Sequence, residues 1–294
     1  MKRSQRFVAI GTALACVVAG IVLVVTAHSA AQPPRADRWK KVDEAVNKGL
    51  PKTAITELDP IIEGALKDKA YPEAIKAIAK KISLEGNIEG NKPEEKITRM
   101  NAAIATAPVE MHPVMNAILA HWYWHYFQQN RWRFTHRTAT GEAPGTDIQT
   151  WDLSRIFAEI DKTFDKALAN EKELKATPVA QYDTLLEKGS IPDKYRPTLF
   201  DFLAFDALSF YTSAEQAGAK PQDAFELKAE APIFDSAEKF LNWQTVNTGP
   251  NNKTIKAIGL YKKLLGFHKD DKDRSAFLDA DLHRLRFGWN TAVG

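Results

Sequence analysis

The chain has 294 residues, 44% of them hydrophobic and 26% charged, the balance of a folded globular protein, which excludes wholesale disorder. Of its 40 basic residues, three (Lys2, Arg3 and Arg6) precede Gln32, leaving 37 against 37 acidic ones in the body of the chain. A neutral body excludes the concentrated basic face of a nucleic-acid binder. With Cys16 as the only cysteine, it also excludes a disulfide, a thiolate zinc site and a cysteine nucleophile beyond the leader.

Residues 1–31 read as a signal peptide or a signal anchor. Lys2, Arg3 and Arg6 precede an uncharged apolar run over 7–27, and Ser29-Ala30-Ala31 offers small residues for cleavage before Gln32. The run is also long enough to cross a bilayer, with its basic end in the cytoplasm. Either way the bulk of the chain is expected to be exported, periplasmic or in the cell envelope, touching membrane only through 7–27 if that segment is retained. Ala13 stands where a lipoprotein signal ahead of Cys16 needs Leu, so lipidation is disfavoured.

After a linker at 32–36, helical periodicity takes over. Trp39, Val42, Ala45 and Val46 form one stripe, stopped by Gly49, and Pro51 opens the next element. "KTAITELDPIIEGAL" continues the pattern, with a kink or break expected at Pro60. "GLPKTAITEL" and "AYPEAIKAI" share an apolar residue, Pro and Ala-Ile, the kind of repetition by which helix pairs stack, although the spacing is not that of a regular tetratricopeptide (TPR) repeat. "GNIEGNKPEEK" reads as a polar break before helices near 94–107 and 112–134. These elements form an N-terminal repeat-like region, 37–137. The composition of 138–147 marks a loop.

A C-terminal helical region is expected over 148–288. Asp152 is placed to cap a helix whose Ile156, Ile160 and Phe164 form a buried face. Residues 198–216 are apolar nearly all round, with Asp206, Ser209 and Ser213 as a thin polar line, as in a deeply buried helix. A loop at 245–252 precedes two helices, about 253–267 and 273–287. The fold class is therefore all-α, a TPR-like bundle or solenoid of nine to twelve helices.

The most chemically suggestive stretch is "HWYWHYFQQNRWRF", 121–134. His121 and His125 have the spacing of the zinc-protease motif H-E-x-x-H, but Trp122 occupies the place of the glutamate base and no third ligand is evident. With Gln128, Gln129 and Trp132 they form a polar-aromatic edge, read as a partner surface or an inner seam. Trp122 and Phe127 are read as core. Asp270, Asp271 and Asp273 lack the glycine and closing glutamate of a calcium loop, and Asp279 and Asp281 cannot share a helix face. Asn252-Lys253-Thr254 is a glycosylation triplet by pattern alone. No serine-hydrolase elbow, P-loop or dinucleotide fingerprint occurs, so no catalytic residue, metal or cofactor is assigned and a non-enzyme is expected.

Five stretches carry a family resemblance: "AIKAIAKKISLEGNIEGNKPEEKI" (74–97), "ILAHWYWHYFQQNRWRF" (118–134), "WDLSRIFAEIDKTF" (151–164), "YRPTLFDFLAFDALSFY" (195–211) and "LGFHKDDKDRSAFLDADLHRLRFG" (265–288). They resemble the N-terminal helical region of the large exported bacterial alpha-2-macroglobulin-like proteins. That resemblance implies a protease-trapping or envelope-guard scaffold, with β-sandwich domains after the helical start. Trapping members carry a thioester built from a C-x-E-Q motif. None occurs here, so no functional residue carries over, and the chain reads as a form truncated before those domains. The alternative is an independent TPR-like module that binds a protein or peptide of the envelope.

Overall fold

The computed structural model describes residues 35–90, 92–136, 145, 147–213, 225–245 and 252–294. The leader and most of the linker, the 138–147 loop apart from 145 and 147, and the interior of the 245–252 loop lie outside the described residues. Among the described residues there are twelve α-helices and no strand, only two isolated bridges, Pro178 with Thr198 and Lys228 with Val293.

Four successive helices open on proline: α2 (Pro51–Lys67), α3 (Tyr71–Ile88), α4 (Pro93–Thr106) and α5 (His112–Gln129). None of the four has a side-chain cap, so proline, with φ already helical and no N–H to orphan, sets the start. The prolines fall at 51, 72, 93 and 113, a spacing of 21, 21 and 20 residues. Gly49 (φ 69°) and Gly90 (φ 89°) take the left-handed conformation that ends the preceding elements, α1 (Ala36–Asn47) and α3.

Of the kink or break expected at Pro60, the break does not occur, since α2 runs through it. An interior proline costs about 3 kcal/mol, and full burial of Leu58 and Ile61 beside it offsets that cost. The polar break after α3 is present but shorter than expected, because α3 continues through Gly86 and Asn87 to Ile88 and α4 begins at Pro93. A Cβ on Gly86 would lie 2.5–3.2 Å from the aliphatic stem of Lys96, so this glycine admits a side chain from α4.

Residues 37–294 form one compact unit. α3 faces two cores. Ala77 joins Val42, Ala45, Ala54, Leu58 and Ile61 in a small one, while Ala74, Ile75 and Ile82 belong to the main one. The main core is centred on α5, whose Pro113 to Ala117, Leu119, Ala120, Tyr123, Tyr126 and Phe127 are all buried. The expected helix over 112–134 is in fact two, because the chain turns at Asn130 before the short α6 (Arg131–Thr135).

α7 (Leu153–Ala167) lies along α5, with its Asp152 cap and its buried Ile156, Ile160 and Phe164 as expected. α8 (Glu171–Ala176) leads through an irregular stretch to α9 (Leu199–Tyr211), started by a Thr198–Asp201 capping box. α10 (Ala237–Asn242), α11 (Lys253–His268) and α12 (Ser275–Thr291) complete the unit. α12 extends four residues beyond the expected end, taking in Trp289.

Arg284 fastens α12 to the 232–242 segment. It is 1% exposed, donates to the carbonyls of Ile233 (2.5 Å) and Asp235 (2.9 Å), and bonds Asp281 at 2.5 Å. Gly288 lets Ile233 and Phe234 sit 3.0–3.2 Å from where a Cβ would be.

Phe127 is 1% exposed and packs at 4.8 Å on Phe157, whereas Trp122 is only half-buried against the same core. Phe127→Ala is therefore expected to cost about 3–5 kcal/mol and Trp122→Ala clearly less. Denaturant melts of the two variants check this, and equal losses would contradict the placement of Trp122 at the edge.

Candidate functional site

The candidate residues from the sequence converge on the outer side of α5 and α6. His121, His125, Gln128 and Gln129 are all exposed, and Trp132 is 75% exposed. They stand outside because Tyr123, Tyr126 and Phe127 claim the inner face of the same helix. The edge is thus a solvent-facing row and not an inner seam.

The two histidines share a face but not a ligand. His121 Nε2 meets Asp206 Oδ1 of α9 at 2.6 Å, and its ring stands edge-on to Phe164. The Asp206 carboxylate raises the imidazole's pKa against the opposing effect of burial. His125 Nε2 instead lies 3.0 Å from Gln129 Nε2, one turn on. Trp132 stacks on His136 at 3.6 Å. Among the described residues no group of three or more His, Cys, Asp or Glu is placed to hold a metal ion.

The inner edge of the row borders a cleft of about 260 Å³ between α3, α4 and α5. His125 and Gln129 line it together with Trp122 and Tyr126. Across from them lie Ser83, Pro93 and Lys96. Sequence pattern does not reveal Ser83 and Lys96 as site residues, because only the Gly86 crossing brings α4 onto α3 there.

Three further polar groupings lie inside the fold. His268 is 2% exposed and bridges Asp201 (Nε2 to Oδ1, 2.8 Å) and Asp271 (Nδ1 to Oδ2, 2.7 Å). A carboxylate at each nitrogen favours the doubly protonated imidazole. Burial pulls its pKa down, but the two carboxylates outweigh burial and raise it. Asp201 also accepts from Thr198, so one carboxylate ties the start of α9 to the end of α11.

Asp161 of α7 accepts from Tyr211 Oη (2.7 Å) and from Lys256 Nζ (2.7 Å), which also reaches Asp165 at 2.8 Å. Lys253 Nζ, buried 4.0 Å over the Phe157 ring, has no hydrogen-bond partner among the described residues, and burial lowers its pKa to about 8. Asp273 of the last loop accepts from the Ser275 N–H at the start of α12, while Asp279 and Asp281 within α12 engage different arginines, Arg196 and Arg284.

The chain matches no known protein-family model, no curated protein and no solved structure.

The raised pKa of His268 has a definite sign. The folded state holds the proton more tightly than the unfolded chain. The stability from His268 is therefore full below its ordinary value of 6.5 and is lost as pH rises through the raised one. Lys253 acts in the opposite sense, because deprotonation relieves its buried charge. The parent chain and His268→Gln must accordingly be compared at each pH. The gap between their thermal midpoints is expected to be widest near pH ~6 and to narrow toward pH ~9. A gap that stays constant across that range would show that the histidine is not held as a cation.

Proposed function

We propose that the protein is a non-enzymatic, exported helical scaffold that binds another protein of the cell envelope. It would resemble the N-terminal region of the alpha-2-macroglobulin-like proteins. The observation that carries the proposal is the exposure of large side chains on ordered helices. Trp132 stands 75% exposed at the end of the His121–His125–Gln128–Gln129 row. On α12, Leu278, Leu282 (66%) and Trp289 (81%) fall on one outward face. Surface apolar residues are ordinary when scattered. Exposed tryptophans are frequent anchors of protein recognition, and an apolar row on one helix face marks an interaction surface more than scattered residues do.

Export rests on the basic-then-apolar leader over 2–27. The finer architecture, a helix-pair array, rests on the proline-opened helices α2 to α5 at near-constant spacing, although two such helices take more residues than the ~34 of a tetratricopeptide repeat. The alternative, an independent TPR-like binding module, rests on the same helices.

Two experiments test the proposal. Residues 1–36 fused to alkaline phosphatase, which is active only outside the cytoplasm, should give an active enzyme. An inactive, stably expressed fusion removes export. A photoreactive phenylalanine in place of Gln128 should give one discrete protein adduct in the producing cells, lost on Trp132→Ala, whereas the same label at exposed Lys52 should not. If the two positions give the same diffuse pattern, the row is not a recognition surface.

A further inference from the structure

We propose that the outer face of α12 is a self-recognition surface, on which a second copy of this chain docks with its own α12 antiparallel. The proposal rests on the reading of exposed helix faces as recognition surfaces and names the occupant of one of them.

The core sets which side of α12 is outside. Ala276, Ala280, Arg284, Phe287 and Gly288 are buried and hold one side of the helix inward. Leu278, Leu282, Leu285 and Trp289 fall on the opposite side, within an arc of about 60°. Leu278 is 59% exposed, Leu282 and Trp289 more so, and Leu285 is half-buried. The intervals between them are 4, 3 and 4 residues. That alternation is the seam of a coiled-coil pair, in which each apolar side chain enters a space between side chains of a facing helix. The period therefore fits a helical occupant.

Two features select a second copy as that helix. The first is symmetry. The intervals read the same in both directions, so a two-fold axis midway between His283 and Arg284 sets Leu282 against the partner's Leu285. The same axis sets the large Trp289 against the smaller Leu278 of the partner.

The second feature is charge. Asp279 and Arg286, seven residues apart, lie on the same flank of the seam. An antiparallel two-fold keeps that flank on one side and brings Arg286 of each copy close to level with Asp279 of the other, so the pair forms twice. Arg286 is exposed. Asp279 lies 3.5 Å from Arg196 and 3.7 Å from His283, and a carboxylate has acceptor positions for a further guanidinium. Opposed helix dipoles favour the antiparallel arrangement over the parallel one.

A membrane surface is the less suitable occupant. An interfacial helix needs basic residues beside its apolar face, whereas Asp279 and Asp281 border this one. Size sets the strength of the pair. A seam about 17 Å long supplies less than the ~800 Å² per partner of a standard interface, so reversible association is expected.

The test uses the full chain carrying Cys16→Ser, studied by sedimentation equilibrium from about 1 μM to about 500 μM, a span that covers weak association. The average mass should rise toward that of two chains. Leu282→Arg and Trp289→Ala alter exposed side chains, so both should melt like the parent and weaken association at least about tenfold. Arg286→Glu should weaken it as well, by setting a carboxylate against Asp279. A spin label on Asn290→Cys, exposed and outside the seam, reads the direction. The two labels should stand about 20 Å apart along the helix axes in an antiparallel pair and side by side in a parallel one.

A single-chain mass throughout, parent-like association in Leu282→Arg, or labels side by side overturns the proposal. So does a chain that stays monomeric but binds phosphatidylglycerol vesicles through Leu282 and Trp289. Each of these results leaves the Gln128 adduct as it stands, because the row on α5 and α6 does not enter the pair. Loss of that adduct with α12 pairing intact would instead remove the row alone and uphold the pairing.

Discussion

The aromatic packing between α5, α7 and α9 is the constraint on which the rest of the molecule depends. Phe127 meets Phe157 at 4.8 Å, Trp124 meets Phe210 at 5.1 Å, and Phe164 meets Phe210 at 5.6 Å. These offset and edge-on contacts each add about 0.5–1.5 kcal/mol beyond area burial. They also fix rotation. Once Tyr123, Tyr126 and Phe127 are turned inward, the 3.6-residue period leaves His121, His125 and Gln128 no side but the outside. The exposed row and the cleft beside it follow from the core, since the same helix supplies both.

Most of the polar groups inside this aromatic core are matched, Lys253 being an exception among the described residues. Asp161 takes Tyr211 and Lys256, Asp201 takes Thr198 and His268, and Arg284 takes two carbonyls and Asp281. Each joins elements distant in sequence, 50 to 95 residues apart for Tyr211, Lys256 and His268 with their aspartates. Removing one partner of such a set leaves the other buried and unsatisfied, which costs more than the bond itself contributes. The value of these groupings is therefore in specifying one arrangement of α7, α9, α11 and α12 more than in net stability.

What was legible in the sequence was local. Proline and glycine punctuation gave the helix starts, Asp152 gave its cap, and the period of Ile156, Ile160 and Phe164 gave the buried face of α7, because these depend on residues within a turn or two. The failures share one cause. Pro60 and Gly86 look like breakers until Leu58 and Ile61 are seen buried and Lys96 is seen crossing. The candidate row was legible as a helix face, but its outward aspect was not, since Trp122 and Trp132 have the same composition signal and different exposures. Asp206 and His268 gained their roles through partners that no spacing rule connects, His121 and Asp201.

α11 gathers these threads, because its first and last residues are both buried or half-buried bases with opposite perturbations. Lys253 sits at the helix N-terminus, where the macrodipole disfavours a cation, and it lies over the Phe157 ring without a hydrogen bond. Burial lowers its pKa to about 8. His268 sits at the C-terminus, where the dipole favours a cation, between two carboxylates that raise its pKa. The same rise in pH thus relieves a buried charge at one end of α11 and removes a matched one at the other. The end that weakens is the one tied through Asp201 to α9, whose Asp206 holds His121 in the exposed row.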